Sequence, residues 1–292
     1  MTGIPAPGPA RLTVVIVAVV SAVLAYPWRS TTDRWALGIA VAVVLISLIG
    51  WGGRYLTRML AERIRILLSR KTIPATPPVL RAAGADAVTT VLVRVDSGAR
   101  ALPLGLLTGY LDRYGLVCDA VRVTTRTAAG DTTTWVSLAF SGARNLAALQ
   151  ARSPEIPLRQ TAENAARRLA SHLRESGWTA TLVGADELPA LAAGDAREQW
   201  RTVSDARGYL TTYAVSDPQT ALAAVSAANA NETWTVIEIA GPSARTQIRA
   251  AAAIRTTDRP TKSDALHGLT VIAGRQARAL TALHPLSGVR LV

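Results

Sequence analysis

Two long apolar runs, separated by a short polar loop, dominate the first fifty residues. Residues 12–26 and 35–51 contain no charged side chain, and each run holds nine Leu, Ile or Val. Runs of this kind favour insertion into a bilayer by about 3 to 5 kcal/mol. They predict a two-helix transmembrane hairpin with spans at about 12–28 and 35–51. Tryptophans at the span ends are expected as interfacial aromatics: Trp28, Trp35 and Trp51.

Two other interpretations of the apolar runs remain open. The first run is compatible with a cleaved signal peptide, because Val23-Leu24-Ala25 resembles a cleavage site. However, the second run follows after only eight residues, which favours an uncleaved span. Both runs could instead be core helices of a globular domain, but neither shows the polar face that such helices usually have.

A basic segment follows the second run. The loop between the runs carries only Arg29 and Arg34. Six basic residues lie within about twenty residues of the second run's end: Arg54, Arg58, Arg63, Arg65, Arg70 and Lys71. Because Lys and Arg accumulate on the cytoplasmic side of membrane proteins, they are expected to flank the membrane there. The pattern predicts a multi-pass protein of the inner (plasma) membrane, with both termini and the main domain in the cytoplasm.

Residues 52–80 are predicted to form a basic amphipathic juxtamembrane helix and a Pro-rich linker. Leu56, Leu60 and Ile64 fall at helical spacing, and the basic residues lie mostly on the other side. A basic side chain near anionic lipid contributes on the order of 1 kcal/mol, so we expect contact with anionic lipids. The chain thus divides into a tail and hairpin (1–51), this segment (52–80) and a cytoplasmic α/β domain (81–292).

From about residue 84 the hydrophobic pattern changes to strands and helices. Strands are predicted at 87–95, 116–126, 132–140, 178–183, 208–215, 233–240 and 243–257. Helices are predicted at 102–115, 158–177, 217–230 and 273–288. The two halves have a similar order of elements. The predicted fold class is therefore α+β (mixed α/β), with duplicated β-α-β-β units, preceded by the transmembrane hairpin.

The distribution of charge argues against a nucleic-acid partner. The net charge of +12 suits a nucleic-acid binder at first sight. However, residues 1–81 carry ten Lys or Arg against two acids, whereas residues 82–292 carry twenty-two against eighteen. The excess belongs to the segment beside the apolar runs. We therefore expect no nucleic-acid partner.

The sequence offers no motif for catalysis, a cofactor or a metal. It has no GxxxxGK phosphate loop and no GxGxxG after a strand, and its three histidines are scattered. The single Cys118 excludes an internal disulfide and is expected to be a small buried residue. Acids such as Asp96, Asp119 and Glu187 fall at strand ends or in loops, where solvated carboxylates are common. We therefore predict no catalytic, cofactor-binding or metal residues, and a protein that is not an enzyme.

The helix predicted at 158–177 is the most basic element of this domain. Its arginines could contact phosphates, but few aromatics are interleaved for base stacking, and Glu163 and Glu175 dilute the charge. A solvated face or a contact with a protein partner is the preferred interpretation. The four arginines are Arg159, Arg167, Arg168 and Arg174.

The chain as a whole resembles a known family. An N-terminal apolar hairpin and a basic helix precede "YGLVCDAVRV", "GWTATLV", "GYLTTYAV" and "ETWTVIEIAG". This arrangement is similar to EccE, a component of actinobacterial type VII (ESX) secretion systems, over nearly the whole chain. The short length and brief tail are most similar to the EccE of the third ESX system.

The resemblance implies a structural subunit of an inner-membrane core complex, assembled with EccB, EccC and EccD, with the ATPase in EccC. By that analogy the complex exports small helical Esx-type and PE/PPE proteins, and the family brings no catalytic residues. One alternative is a membrane-tethered transferase with a cytoplasmic active site. Another is a membrane-tethered nucleic-acid binder, which would bind DNA in a salt-sensitive manner.

Overall fold

The chain contains two compact units, Met1–Arg70 and Lys71–Val292. The division predicted from the sequence has three parts, with boundaries after residues 51 and 80, and it stays a prediction. The computed structural model describes residues 9–24, 26, 31–48, 50–51, 54–55, 62–66, 80–81, 87–96, 101–153, 157–228, 230–242, 245–261 and 266–291.

The first unit is built around two apolar segments, which form helices α1 (Pro9–Leu24) and α2 (Thr31–Leu48). The two helices contact each other. Among the described side chains of this pair, those of Ala18 and Ala40 are buried. Small residues at such positions allow two helices to approach closely. A short pairing of β1 (Gly50–Trp51) with β2 (Arg54–Tyr55) and a helical turn at 62–66 follow.

The predicted transmembrane hairpin is wrong. Among the described residues, no helix combines the length and the apolar character needed to cross a membrane. Helix α1 has 16 residues, and such a helix rises about 24 Å, less than a hydrocarbon core of about 30 Å. Helix α2 has 18 residues, but Asp33 and Arg34 lie in its first turn. The multi-pass topology inferred from the hairpin therefore has no support.

The second unit is organised by one large sheet with helices packed against it. Eleven strands of the described residues form this sheet, and every pairing among them is antiparallel. The strands are β3 (Leu80–Arg81), β4 (Val88–Asp96), β7 (Ala120–Ala128), β8 (Asp131–Ser141), β9 (Thr179–Val183), β10 (Arg197–Glu198), β11 (Val203–Asp205), β12 (Gly208–Val215), β13 (Glu232–Ala240), β14 (Gln247–Thr256) and β15 (Leu269–Val271). The mixed α/β character predicted for this region agrees with this architecture.

The helices of the second unit lie between these strands. They are α3 (Leu104–Thr108), which continues as the 3₁₀ helix Gly109–Leu111, then α4 (Gly142–Gln150), α5 (Leu158–Glu175), α6 (Pro218–Ala227) and α7 (Gln276–Leu283). Between the 3₁₀ helix and β7, a small hairpin pairs β5 (Asp112–Arg113) with β6 (Leu116–Val117).

The strand order of the first half recurs in the second. In the first half the neighbours are β9–β4–β8–β7, and in the second they are β15–β12–β14–β13. Both orders place the fourth strand beside the first, and the third between the first and second, as in a ferredoxin-like unit. Strands β7 and β13 pair along nine residues and join the two halves. The halves differ at their ends, because α5 precedes β9 whereas α7 follows β15.

Each face of the sheet is covered by a different kind of structure. On one face, α3, α4 and α5 pack on β4, β7 and β8, and α6 packs on β12 and β14. We call this the helix-covered face. On the other, α7, residues 184–196 and the C-terminal residues 284–291 pack around the stacked pair Trp135 and Trp234. We call this the tail-covered face. Each face excludes water from alternate residues of the strands.

Buried charged side chains on the tail-covered face bind the irregular segments that cover it. Arg122 is buried and donates to the carboxylate of Glu238, at 2.6 Å from Nη2 to Oε2. The same guanidinium donates to the carbonyl oxygens of Ser287 and Val289. Irregular chain laid over a sheet leaves buried carbonyls without ladder partners, and unpaired carbonyls are costly. A buried arginine on a neighbouring strand supplies those donors.

A second buried ionic cluster lies at the other end of the same face. Arg255 pairs with Glu232 at 2.8 Å and with Asp205 at 2.6 Å, and donates to the carbonyl of Leu191. Burial opposes ionisation of both carboxyls, but their hydrogen bonds outweigh it and lower the pKa of Asp205 and of Glu232. This cluster fixes the segment before β12, as the first fixes the C-terminal tail.

Candidate partner-binding surfaces

The outer face of α5 presents the arginines that the sequence singles out. Leu158, Leu169 and Leu173, with small residues between them, bury the inner face. The outward positions of the helix are exposed, and they include Arg159, Arg167, Arg168 and Arg174. The apolar stripe repeats every three to four residues, so the arginines lie on the exposed side, with Arg159, Arg167 and Arg174 close together and Arg168 at its other edge. The helix therefore offers a basic surface.

Three of these arginines are engaged within the described residues. The Nε atom of Arg159 lies 2.8 Å from Oε1 of Glu163, and Arg167 donates to Oδ1 of Asn164 at 2.7 Å. Arg174 donates to the carbonyl of Ala180 at 3.0 Å. Exposed pairs of this kind are worth little stability. They do, however, occupy the guanidinium groups that take part in them.

Arg168 is placed differently, because it stacks on an aromatic ring. Its Cζ atom lies 4.4 Å from the centroid of Tyr114, and the Cζ of Arg113 lies 5.1 Å from the same centroid. Arg113 also lies 5.0 Å from the centroid of Tyr110. Guanidinium groups within about 6 Å of a ring centroid are attracted by its negative face. Two cations thus share one exposed aromatic side chain.

Tyr114 stands at the tip of the β5–β6 hairpin. Arg113 pairs with Leu116, so Tyr114 and Gly115 form a two-residue turn. Their φ angles of 58° and 69° are the left-handed values that a type I′ turn requires. Glycine adopts them freely, but a bulky residue rarely does. The turn holds Tyr114 outward, and its side chain is 43% exposed.

A part-buried hydrogen bond joins the 3₁₀ helix before the hairpin to α5. The hydroxyl of Tyr110 lies 2.6 Å from Nδ1 of His172. Burial raises the pKa of Tyr110 to about 12, so the phenol keeps its proton at neutral pH. Asn145 fixes the following strand through both Val117 backbone groups, at 2.8 and 2.9 Å. Tyr110, Arg113, Tyr114, Arg168 and His172 are hereafter the Tyr114 cluster.

The first unit offers a surface of the opposite kind. Leu24 is 79% exposed and Trp35 is 70% exposed. Large apolar side chains that lie open on the α1–α2 pair and at the turn after α1 also include Ile16, Val17, Val19, Val20, Val23, Tyr26, Ile39 and Val41. An apolar patch of this extent is unusual on a monomeric soluble protein and marks a surface that meets other molecules.

The predicted membrane-flanking residues are only partly described. Arg63 and Arg65 are exposed on the helical turn at 62–66. Trp51 and Arg54 lie on the paired strands β1 and β2. The others lie outside the described residues: Trp28, Arg58, Arg70 and Lys71. Their roles beside a membrane, and those of Trp35 and Trp51 as interfacial aromatics, stay predictions.

The residues considered for chemistry are not brought together. Asp119 pairs with Arg144 at 3.0 Å, and Glu187 accepts from the backbone of Gly184. Within the described part of the chain, no group of three or more His, Cys, Asp or Glu side chains could hold a metal ion. Cys118 is buried, and burial raises the pKa of its thiol to about 12. None of these features favours the transferase alternative.

Apart from Arg168, the residues of the Tyr114 cluster were not predicted from the sequence. One helix was predicted over 102–115, with Gly115 as its end. The usable signal was the dipeptide Tyr114-Gly115 between the short runs "LDR" and "LV", since a residue followed by Gly in a two-residue loop is typical of a type I′ hairpin. Predicting the contact with Arg168 would have required the packing of α5.

Comparison with known proteins gives these surfaces a context. Residues 128–215 match the family model of EccE, a type VII ESX secretion system translocon protein. The ESX-3 secretion system protein EccE3 of Mycolicibacterium smegmatis is 42% identical over 285 residues, which are 97% of this chain and 89% of that protein. The EccE3 of Mycobacterium tuberculosis is 47% identical over 300 residues, covering 98% of this chain and 87% of that protein.

The chain belongs to the EccE family. It is therefore a component of a type VII (ESX) secretion system, and the predicted resemblance to EccE and to its ESX-3 member is confirmed. The family match includes α4, α5 and β9 to β12, so the arginine-bearing helix lies within it. The similarity to the two EccE3 proteins extends over nearly the whole chain, including the region of the first unit.

Proposed function

We propose that this EccE-family chain is a non-catalytic structural subunit of an inner-membrane ESX complex. Its first unit would associate with the membrane and with neighbouring subunits, and its second unit would present a rigid charged platform to other components. Family membership supports the secretion system as the setting. The apolar surface of the first unit and the basic surface of α5 support a role in the assembly of that system.

The observation that carries this proposal is the open apolar surface of the α1–α2 pair. Val20, Leu24 and Ile39 lie exposed on helices whose buried contact in the described residues is made by Ala18 and Ala40. Burying a large aliphatic side chain is worth about 1.5 to 3 kcal/mol relative to leaving it in water. A surface of about ten such side chains is therefore stable only where lipid or other proteins cover it.

The charge that follows the helix pair supports a place at the membrane. Arg54, Arg58, Arg63 and Arg65 are four of six basic residues within a short segment. Anionic headgroups attract such clusters by about 1 kcal/mol for each basic residue near the surface. We propose that these residues contact anionic lipids, and that Trp28, Trp35 and Trp51 lie at the polar boundary of the bilayer.

The proposed protein partners are the other membrane subunits of the same system, EccB, EccC and EccD. The resemblance to EccE implies them, and the architecture suits the role. The second unit has a sheet that is covered on both faces, and it has an exposed basic helix. These are features of a docking platform. The proposed location of this platform is the cytoplasmic side of the inner membrane.

Co-isolation tests the proposal. A tagged full-length chain, produced with the rest of its secretion system and extracted in mild detergent, should run far above its 30.8 kDa and bring the other membrane subunits with it. A variant with both Val20→Lys and Leu24→Lys places two charges on the apolar surface of α1. This variant should lose its membrane association and its partner subunits together. A wild-type chain that runs as a partner-free monomer in such detergents would contradict the proposal.

A further inference from the structure

We propose that the Tyr114 cluster binds an acidic segment of a partner protein, with carboxylates of that segment held by Arg113 and Arg168 over the ring of Tyr114. The inference rests on the proposed role as a subunit of an assembly. It goes further, because it names one site on the second unit and the chemistry of the segment that occupies it.

The two arginines of the cluster have donors to spare. Arg113 and Arg168 make ring contacts, but within the described residues neither guanidinium has a hydrogen bond or an ion pair. Arg159 and Arg174 on the same outer face are engaged by a carboxylate and a carbonyl. A guanidinium presents a planar fork of N–H groups that matches a carboxylate in two parallel hydrogen bonds. Stacking on Tyr114 orients these forks in advance.

The hairpin makes Tyr114 a rigid anchor. The turn fixes its backbone at a φ of 58°, and Arg152, in the turn after α4, donates to its carbonyl oxygen at 3.4 Å. Tyrosine and arginine are the residue types that carry most of the binding energy at protein interfaces, above all when they are clustered. A tyrosine held outward between two cations therefore binds without first losing much conformational freedom.

The surrounding charges favour an acidic protein segment over a nucleic acid. Glu175 lies beside the cluster, Asp112 precedes Arg113 in the chain, and Glu163 is on the same helix as Arg168. These carboxylates would repel a continuous polyphosphate chain, whereas a peptide can place one or two carboxylates and keep the rest of its surface neutral. Single-stranded nucleic acids also require a series of stacking aromatics, and Tyr114 is the exposed aromatic of this cluster.

Charge reversal on α5 provides a matched pair of variants. Arg168→Glu removes a free guanidinium of the cluster, while Arg159→Glu makes the same change at another exposed position of the same helix, away from Tyr114. In co-isolation of the full-length chain, Arg168→Glu should reduce recovery of the partner by roughly tenfold or more, and Arg159→Glu by less than about twofold. Arg168→Lys, which keeps the charge but not the fork, should fall between them. The melting temperature of each variant serves as a check on folding.

A photoreactive residue identifies the occupant directly. Tyr114 is replaced by p-benzoylphenylalanine, an aromatic of similar shape, and the assembled complex is irradiated and analysed by mass spectrometry. The expected product links position 114 to a subunit of the same secretion system, at a segment with at least two Asp or Glu within five residues. The cross-link should weaken in the Arg168→Glu background and persist in the Arg159→Glu background.

The outcomes separate this inference from the proposed function. If the complex co-isolates but position 114 links to lipid, nucleic acid or a segment without acidic residues, or does not link, the inference is wrong and the subunit role stands. Equal loss of partner in Arg168→Glu and Arg159→Glu would also overturn it, because the effect would then be one of general charge. If the wild-type chain isolates without partners, both proposals fail.

Discussion

Within the described residues, the two units treat apolar side chains in opposite ways. The first unit leaves eleven large ones exposed, ten of them on or next to α1 and α2. The second, which is the larger, leaves four exposed: Leu104, Tyr114, Leu182 and Ile248. Its sheet buries both faces, one under helices and the other under α7 and irregular chain. The first unit is thus adapted to be covered by other molecules, whereas the second covers itself.

The difference shows that a sheet covered by irregular chain needs additional hydrogen-bond donors. The tail-covered face requires donors for carbonyls that no strand can pair, and Arg122 and Arg255 supply them from inside the sheet. The α1–α2 pair needs no such device, because a helix satisfies its own backbone groups apart from its ends. Buried charge therefore concentrates in the unit with the irregular covering.

The largest expected effect comes from leaving one of these charges unpaired. Glu238→Ala removes the carboxylate that faces Arg122, 2.6 Å away, and leaves a buried cation without its counterion. We expect the free energy of unfolding of the full-length protein to fall by about 3 to 5 kcal/mol. Denaturant unfolding followed by tryptophan fluorescence measures it, because Trp135 and Trp234 stack on the same face.

A double variant separates the unpaired charge from the loss of packing. Arg122→Met with Glu238→Leu removes both charges and keeps apolar volume, so it should destabilise less than Glu238→Ala. It also removes the donors to Ser287 and Val289, so faster hydrogen exchange is expected in residues 284–291. A double variant that is as unstable as the single one would show that the ion pair is not what matters.

The same truncation made in both units sharpens the contrast. Leu169→Ala empties a fully buried position on α5, and we expect a loss of about 2 to 5 kcal/mol in the free energy of unfolding. Leu24→Ala, at a position that is 79% exposed, should change it by less than about 0.5 kcal/mol. Chemical denaturation in detergent compares the two. Similar losses would mean that Leu24 is packed within the chain, against the proposed contrast.

An effect of pH is expected through a histidine under the C-terminal tail. Burial lowers the pKa of His284 to about 4 from an ordinary 6.5. The unfolded chain takes up this proton below pH 6.5 and the folded chain only near pH 4, so protonation favours unfolding. Stability should fall by about 3 kcal/mol over that interval. His284→Asn keeps an acceptor for the Leu286 amide and should remove this part of the pH dependence.

The acids of the buried clusters act in a different pH window. The pKa of Asp205 and of Glu232 is lowered in the folded chain, so their contribution is complete above their ordinary values and is lost only below about pH 4. The difference between wild type and His284→Asn between pH 6.5 and 4 therefore isolates the histidine. Parallel curves over this interval would contradict the assignment.

Most strands of the second unit could be predicted because their pattern is local. Residues 132–140 and 208–215 alternate β-branched with other residues, and the structure has strands Asp131–Ser141 and Gly208–Val215 there. The strand predicted at 243–257 is also present. It lies in the middle of the sheet as Gln247–Thr256, paired on both sides, and its Arg255 is buried.

Long-range features could not be predicted from the sequence. Arg122 and Glu238 are 116 positions apart, and only the register of β7 against β13 places them opposite each other. Likewise, the pairing of Tyr114 with Arg168 depends on α5 lying beside the hairpin. The error at the N-terminus has another cause: spans were expected to extend to about residues 28 and 51, whereas the helices end at Leu24 and Leu48 and α2 begins with a polar first turn.

Site-directed labelling in native membranes tests the central claim most directly, which is that the apolar surface of the first unit is covered in the assembly. Cys118 is buried, so a single introduced cysteine reports its own position. In membranes opened by sonication, Val20→Cys should react with a water-soluble maleimide at least roughly tenfold more slowly than Arg201→Cys, an exposed position of the second unit. The two should become alike after denaturation. Equal labelling before denaturation would show that water reaches α1, and would contradict the account.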